Sequence, residues 1–191
     1  HKYLNFLKKK KIDNVIIEAS SHGLSQFRLH HVKFKSAIFT NFSQDHLDYH
    51  KNMRSYLKAK FILFREILGE KSKIITDDEI PTFIKIKKVA LEKNLKIINI
   101  KDQLDKIKKT YLKPIPNFKI KNIAMAVQAA KICGLNEKNI YRSINKIKEV
   151  SGRLELVKRF PNNVKVYVDY AHTPDALKTC LLNLREQFIN K

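Results

Sequence analysis

The chain has no tryptophan, two cysteines, four glycines and five prolines in 191 residues. Each scarcity excludes something. Two cysteines cannot make a disulfide-dense scaffold. Cys133 and Cys180 sit in apolar helical patterns and read as reduced core thiols of a cytoplasmic protein. The glycines, at 23, 69, 134 and 152, are too dispersed to build a phosphate-cradling loop of the GxxxxGK(S/T) type. No apolar run reaches the ~18 residues of a membrane-spanning helix, and no signal peptide is evident. Acid is scarce too: 18 Asp and Glu stand against 39 Lys and Arg, a net charge of +21. Such a balance suits a polyanionic partner. A nucleic-acid-binding module, however, predicts clustered bases with interleaved aromatics. Here the basic residues are scattered, mostly lysine, and dense only at KKKK (8–11). Compositional bias is the better account, with no nucleic acid as partner.

What is present is a core and an alternation. Hydrophobic residues make up 43%, enough for one large domain or one domain plus part of another. Short apolar runs at VII (15–17), AIF (37–39), KIIT (73–76), KIINI (96–100) and VKVYVD (164–169) predict strands. Between them, Leu57, Phe61, Phe64 and Leu68 mark a helix over 54–68. Pro81 opens another that ends near Asn94. Residues 122–133 form an alanine-rich helix closed by Gly134, Ile140, Ile144 and Ile147 mark one more, and Thr173-Pro174 starts a last one. The basic, glycine-free stretch 101–121 reads as a connector. Strands alternating with helices predict an α/β fold with a mainly parallel sheet and flanking helices. A boundary near Val150–Gly152 divides residues 1–150 from 151–191.

In open α/β sheets, ligands bind beyond the carboxyl ends of the strands. Glu18 ends the first expected strand, Asn41 ends the second with Asp45-His46 close behind, and Asp169 ends the last. Taken singly, each is more often a cap or turn residue. The stretch DHLDYH (45–50) matches no common zinc spacing; oxygen donors plus one imidazole suit magnesium better. Lys60 stands out differently. Its helical neighbours Tyr56, Leu57, Leu63 and Phe64 are all apolar or aromatic. A lysine on such a stripe either snorkels or has a depressed pKa that makes its neutral amine available.

EASSHGLSQFR (18–28), FTNFSQDHLDYH (39–50), YLKAKFILF (56–64), SGRLE (151–155) and VDYAHTPDAL (168–177) occur in this order. Together they resemble the Mur ligases, and the last block resembles the branch that adds the third amino acid of the peptidoglycan peptide. The resemblance implies part of the family's central ATP-binding domain and the start of its Rossmann-like C-terminal domain. It implies ATP and magnesium, with Glu18, His46 and a carbamylated Lys60 as metal ligands, and with Lys60 and His46 serving catalysis. It implies that Ser20, Gln26 and Arg28 hold the UDP-N-acetylmuramoyl-dipeptide, and that Asn122, Arg153 and Asp169 meet the nucleotide. The other partner would be a diamino acid, meso-diaminopimelate or L-lysine. Asp45, Asp48 and His50 become supporting residues, and His172 lies near the nucleotide.

The departures matter as well. No GxxxxGK(S/T) loop occurs, Lys119 stands where the family has an asparagine before IxN, and TDD (76–78) replaces Asn-Ala-Asp-Asp. The segment between KIINI and the helix at 122 is short, where the family has extra strands. The chain therefore reads as a central piece of a ligase, inactive alone, either cut from a longer gene or encoded by a degraded one. A non-catalytic relic and a basic nucleic-acid-binding module are the alternatives.

Overall fold

The computed structural model describes residues 2–110 and 115–189. In chain order its elements are α1 (Lys2–Lys9), α2 (Ser21–Ser25), β1 (Phe34–Phe39), α3 (Leu47–His50), α4 (Met53–Ile62), a π-helical turn (Leu63–Ile67), β2 (Leu68–Thr76), α5 (Phe83–Glu92) and β3 (Lys96–Asn99). There follow α6 (Lys101–Thr110), α7 (Asn117–Ile132), α8 (Glu137–Ile144), β4 (Glu155–Arg159), β5 (Lys165–Val168) and α9 (Pro174–Ile189).

β1, β2 and β3 form a parallel sheet in that order, with Ala37 opposite Ile74 and Ile74 opposite Ile97. The two-residue alternation of a strand splits β2 between two cores. Ile74 packs with Phe39, Leu57, Phe61, Phe64, Ile86 and Val89 on the α4–α5 side. Ile75 packs with Ile107, Ala124, Met125 and Val127 on the α6–α8 side. Parallel strands are joined by crossovers that cover both faces, and this is why β2 ends in a continuous apolar run. The remaining strands, β4 and β5, make a separate antiparallel pair with Leu156 opposite Tyr167.

The expected α/β fold with its parallel sheet is what forms. Leu57, Phe61 and Phe64 are buried as their spacing requires, but the helix gives way to the π-helical turn, and Leu68 already opens β2. Two local expectations fail. Residues 15–17 form no strand, and Ile16 is 86% exposed. An apolar run becomes a strand only where a neighbour pairs with its backbone, and no described strand lies beside it. The supposed connector 101–121 contains α6, and α7 starts at Asn117 rather than 122. Gln103 and Ile107, one turn apart on α6, are buried against α7 and α8. Residues 111–114 of that connector lie outside the described residues.

Candidate active site

Helix α4 is started by Asn52, whose side-chain oxygen accepts the Ser55 N–H at 2.9 Å. From that start, Tyr56, Leu57, Ala59 and Phe61 turn inward. Lys60 lies among them, its Nζ 5.1 Å from the centre of the Tyr56 ring and 5.9 Å from that of Phe39. Burial pulls the Lys60 amine below the usual lysine range; the carboxylates of Asp45 and Glu18 act against that shift. Lys58, two positions back, is exposed.

The DHLDYH stretch wraps the same ring. His46 sits in the left-handed region at φ 54°, and its N–H donates to Asp45 Oδ1 at 2.8 Å. The His46 ring meets Tyr56 edge-on at 5.9 Å and His22 edge-on at 4.9 Å. Tyr56 is thus the common neighbour of Lys60 and His46. His50 is buried; it stacks on Tyr56 at 5.3 Å and shares a hydrogen bond with Ser21 Oγ at 2.9 Å. Burial, then the charges of His22 and His46, lower its pKa. Its ring ties α2 to α4. Asp45 Oδ1 also lies 3.8 Å from Nε2 of His172, which comes from the far end of the chain.

Glu18 belongs to this neighbourhood through its field on Lys60. It does not end a strand, as expected from the sequence, but lies in the irregular stretch before α2. Ser20, Gln26 and Arg28 converge around α2. Ser20 caps that helix by accepting the Gly23 N–H at 3.1 Å, and Arg28 donates to Gln26 Oε1 at 2.6 Å. A Cβ on Gly23 would come within 3.1 Å of Ser20 Oγ and 3.7 Å of the Arg28 side chain, so glycine is what lets the two draw close.

The expected nucleotide residues fall in two places. Arg153 lies over the Tyr170 ring at 5.2 Å, and Asp169 follows β5 directly. Asp169 Oδ2 accepts the Leu154 N–H at 2.7 Å and Oδ1 the Ala171 N–H at 2.8 Å. Asn122 is exposed on α7, the helix that packs on β1 and β2. Beside it, Lys121 Nζ lies 2.6 Å from Asp77 and 2.8 Å from Glu79. Asp77, 1% exposed, directly follows β2.

Lys121 and His22 are parts of these neighbourhoods that the sequence did not single out, and Asp77 was marked only as a member of the TDD block, not as the partner of Lys121. Nothing marked His22 as a member of the ring cluster.

The Mur ligase middle-domain family model matches residues 1–145, and that of the Mur ligase glutamate ligase domain matches 152–191. The chain belongs to the Mur ligase family. It is 37% identical to the UDP-N-acetylmuramoyl-L-alanyl-D-glutamate--2,6-diaminopimelate ligase of Wigglesworthia glossinidia brevipalpis, over 98% of this chain and 42% of that protein. The Haemophilus influenzae (strain PittEE) protein of the same name is 35% identical over 96% of this chain and 42% of its own length. The chain thus spans about two fifths of the relatives it matches. A solved structure of a protein of that name superposes with a TM-score of 0.62 at 24% identity, covering 88% of this chain and 39% of that one. MurF from Acinetobacter baumannii superposes with 0.63 at 15% identity, over 80% and 38%. At these identities the two superpositions speak for the fold alone.

Among the described residues, no three His, Cys, Asp or Glu side chains gather where they could hold a metal ion. Glu18 and His46 offer two conventional donors near Lys60. A carbamate on Lys60 would add the oxygen donors that its amine lacks. That donor set fits magnesium, which keeps several waters and takes few protein ligands.

Proposed function

We propose that this chain is the central part of an ATP-dependent Mur ligase. The enzyme would add meso-diaminopimelate or L-lysine to UDP-N-acetylmuramoyl-L-alanyl-D-glutamate in the cytoplasm. Membership of the family supports the reaction class, and the relatives' names favour diaminopimelate. Residues 1–150 are read as the central ATP-binding domain and 151–191 as the start of the C-terminal one.

The observation that carries the reading is Lys60. An amine must be uncharged to attack carbon dioxide, and burial against Tyr56 and Phe39 favours that form. Its nitrogen bonds to the carbon, one C=O electron pair moves to oxygen, and a nitrogen-bound proton leaves to solvent. A cation is thereby replaced by an anionic oxygen donor, which would serve as a ligand together with Glu18 and His46. Magnesium, when bound by these three, would offset the negative charge of the triphosphate and of the substrate carboxylate. Ser20, Gln26 and Arg28 would hold the UDP-muramoyl-dipeptide, and Asn122, Arg153 and Asp169 the nucleotide. The terminal phosphoryl group of ATP passes to the substrate carboxylate. The incoming amino group then displaces phosphate from that acyl phosphate, a reaction governed by positioning.

A second reading, a non-catalytic relic, takes the 191 residues by themselves, in which no GxxxxGK(S/T) occurs. One experiment separates the two. The chain is exchanged for the matching segment of the Haemophilus influenzae relative, and tripeptide formation is followed with ATP and magnesium. Turnover that depends on Lys60 supports the ligase. A folded chimera without turnover supports the relic.

A further inference from the structure

On the side of α4 away from Lys60, a cleft of about 430 Å³ opens between α2, the end of α3, α4 and the π-helical turn. Ser55, Lys58 and Ile62 line it; on a helix of 3.6 residues per turn they lie roughly half a turn around from Lys60. Its volume is that of a small-molecule site.

The cleft carries three basic side chains against one acid. Lys51, Lys58 and Arg65 all line it. The side chains of Lys51 and Lys58 have no hydrogen bond or ion pair with any described residue. Arg65 has only an exposed contact to Glu92 at 3.8 Å, which is worth little in water. The single acid on the wall, Glu66, is engaged by His30 at 3.4 Å. Lysines are scattered over this chain. Here three cationic groups share a concavity with the hydroxyls of Ser25 and Ser55.

The backbone adds two further observations. Lys51 is held at φ 65°, ψ −34°, a conformation strained for a residue with a Cβ. Arg65 and Glu66 are presented by the π-helical turn, a rare geometry that recurs at functional sites.

We infer that this cleft binds a small phosphorylated molecule carrying an apolar or aromatic group. Lys51, Lys58 and Arg65 would meet the phosphoryl oxygens, with the guanidinium able to make paired hydrogen bonds. The two serine hydroxyls would donate to the same oxygens. The apolar group would rest on Tyr49 and Ile62. The cleft adjoins the ligase site through His50, which stacks on Tyr56, and through Tyr49, whose hydroxyl accepts from Gln26 at 3.4 Å, but its assignment does not rest on the proposed reaction.

The test is an NMR titration of the full 191-residue chain at constant ionic strength with phenyl phosphate, inorganic phosphate and citrate. Phenyl phosphate is expected to saturate one site, shifting the amides of Lys51, Ser55 and Lys58, with inorganic phosphate weaker at the same residues. Lys58→Ala or Arg65→Ala should weaken binding roughly tenfold. Both side chains are exposed, so the variants keep the fold, which unchanged amide shifts elsewhere would verify. Lys60→Ala and Lys85→Ala should leave the affinity unchanged. Failure to saturate, shifts centred on Lys60, or equal weakening by Lys85→Ala would overturn the site. Citrate binding as tightly as phenyl phosphate would overturn its preference for phosphoryl groups.

Discussion

Two groups of acids in this molecule look alike in sequence and differ in what they already do. In the 151–171 region, Asp169 accepts the backbone N–H groups of Leu154 and Ala171 through its two oxygens. Glu155 likewise accepts from the Gly152 N–H at 2.7 Å and the Ser151 hydroxyl at 2.8 Å, and these bonds, the Gly152 one first, lower its pKa. Around Lys60 the arrangement is the reverse. The Glu18 carboxylate has no hydrogen bond or ion pair with a described residue, yet its charge acts on the Lys60 amine. Asp45 holds one local N–H and lies near two histidines. Acids that serve the backbone hold a turn together; acids that face a half-buried amine are free to take part in chemistry. Asp169 can still meet a nucleotide, since a carboxylate has about four acceptor sites.

The largest expected effect is a complete one. Incubated alone with ATP, magnesium, the UDP-muramoyl-dipeptide and either diamino acid, this chain should form no tripeptide. Losing one preorganised donor costs about 100- to 1,000-fold, and here a whole phosphate-binding loop is missing. Product above a Lys60→Ala control would show that the loop is dispensable.

Next comes His46→Ala in the chimera with the Haemophilus influenzae relative. Turnover should fall by roughly 100-fold or more, while the melting temperature stays nearly constant, because His46 contributes little to the core. An unchanged rate would remove His46 from the site.

A smaller effect bears on the two groups of acids directly. Asp169→Ala strands two backbone donors and should destabilise the turn by about 1–3 kcal/mol. Hydrogen exchange of the Leu154 and Ala171 amides would report it. Asp45→Ala should cost less than half as much. Equal costs would dissolve the distinction between the two groups.

How far the sequence revealed this arrangement depends on which force fixes each part. The core positions of α4 were legible because their burial follows helical spacing. Val15 to Ile17 were misleading because a strand depends on a pairing neighbour, which local sequence does not carry. α6 was hidden by its charge, having too few apolar residues to show a period. Lys60 could be singled out because its anomaly is local: four apolar or aromatic neighbours within one turn. The Asp77–Lys121 pair joins residues far apart in the chain and leaves no local trace. Likewise, His22 joins the ring cluster only because α2 folds onto α4.

The smallest effect is on stability and pH. Lys60→Met should raise the melting temperature by about 2–4 °C near neutral pH, an effect on the order of 1 kcal/mol. Burial depresses the folded-state pKa of Lys60, so between that value and the ordinary lysine value the unfolded chain binds more protons. The wild-type chain therefore gains stability as pH rises through this window, and the advantage of the methionine variant should vanish near pH ~10.4. A pH-independent difference would mean that packing, not desolvation, governs the site.

The most direct test of the Lys60 assignment is a ¹³C NMR spectrum of the chain equilibrated with ¹³C-bicarbonate at mildly alkaline pH. A single carbamate resonance is predicted, lost in Lys60→Ala and kept in Lys58→Ala. A spectrum without carbamate, or a resonance that follows Lys58, would contradict the account.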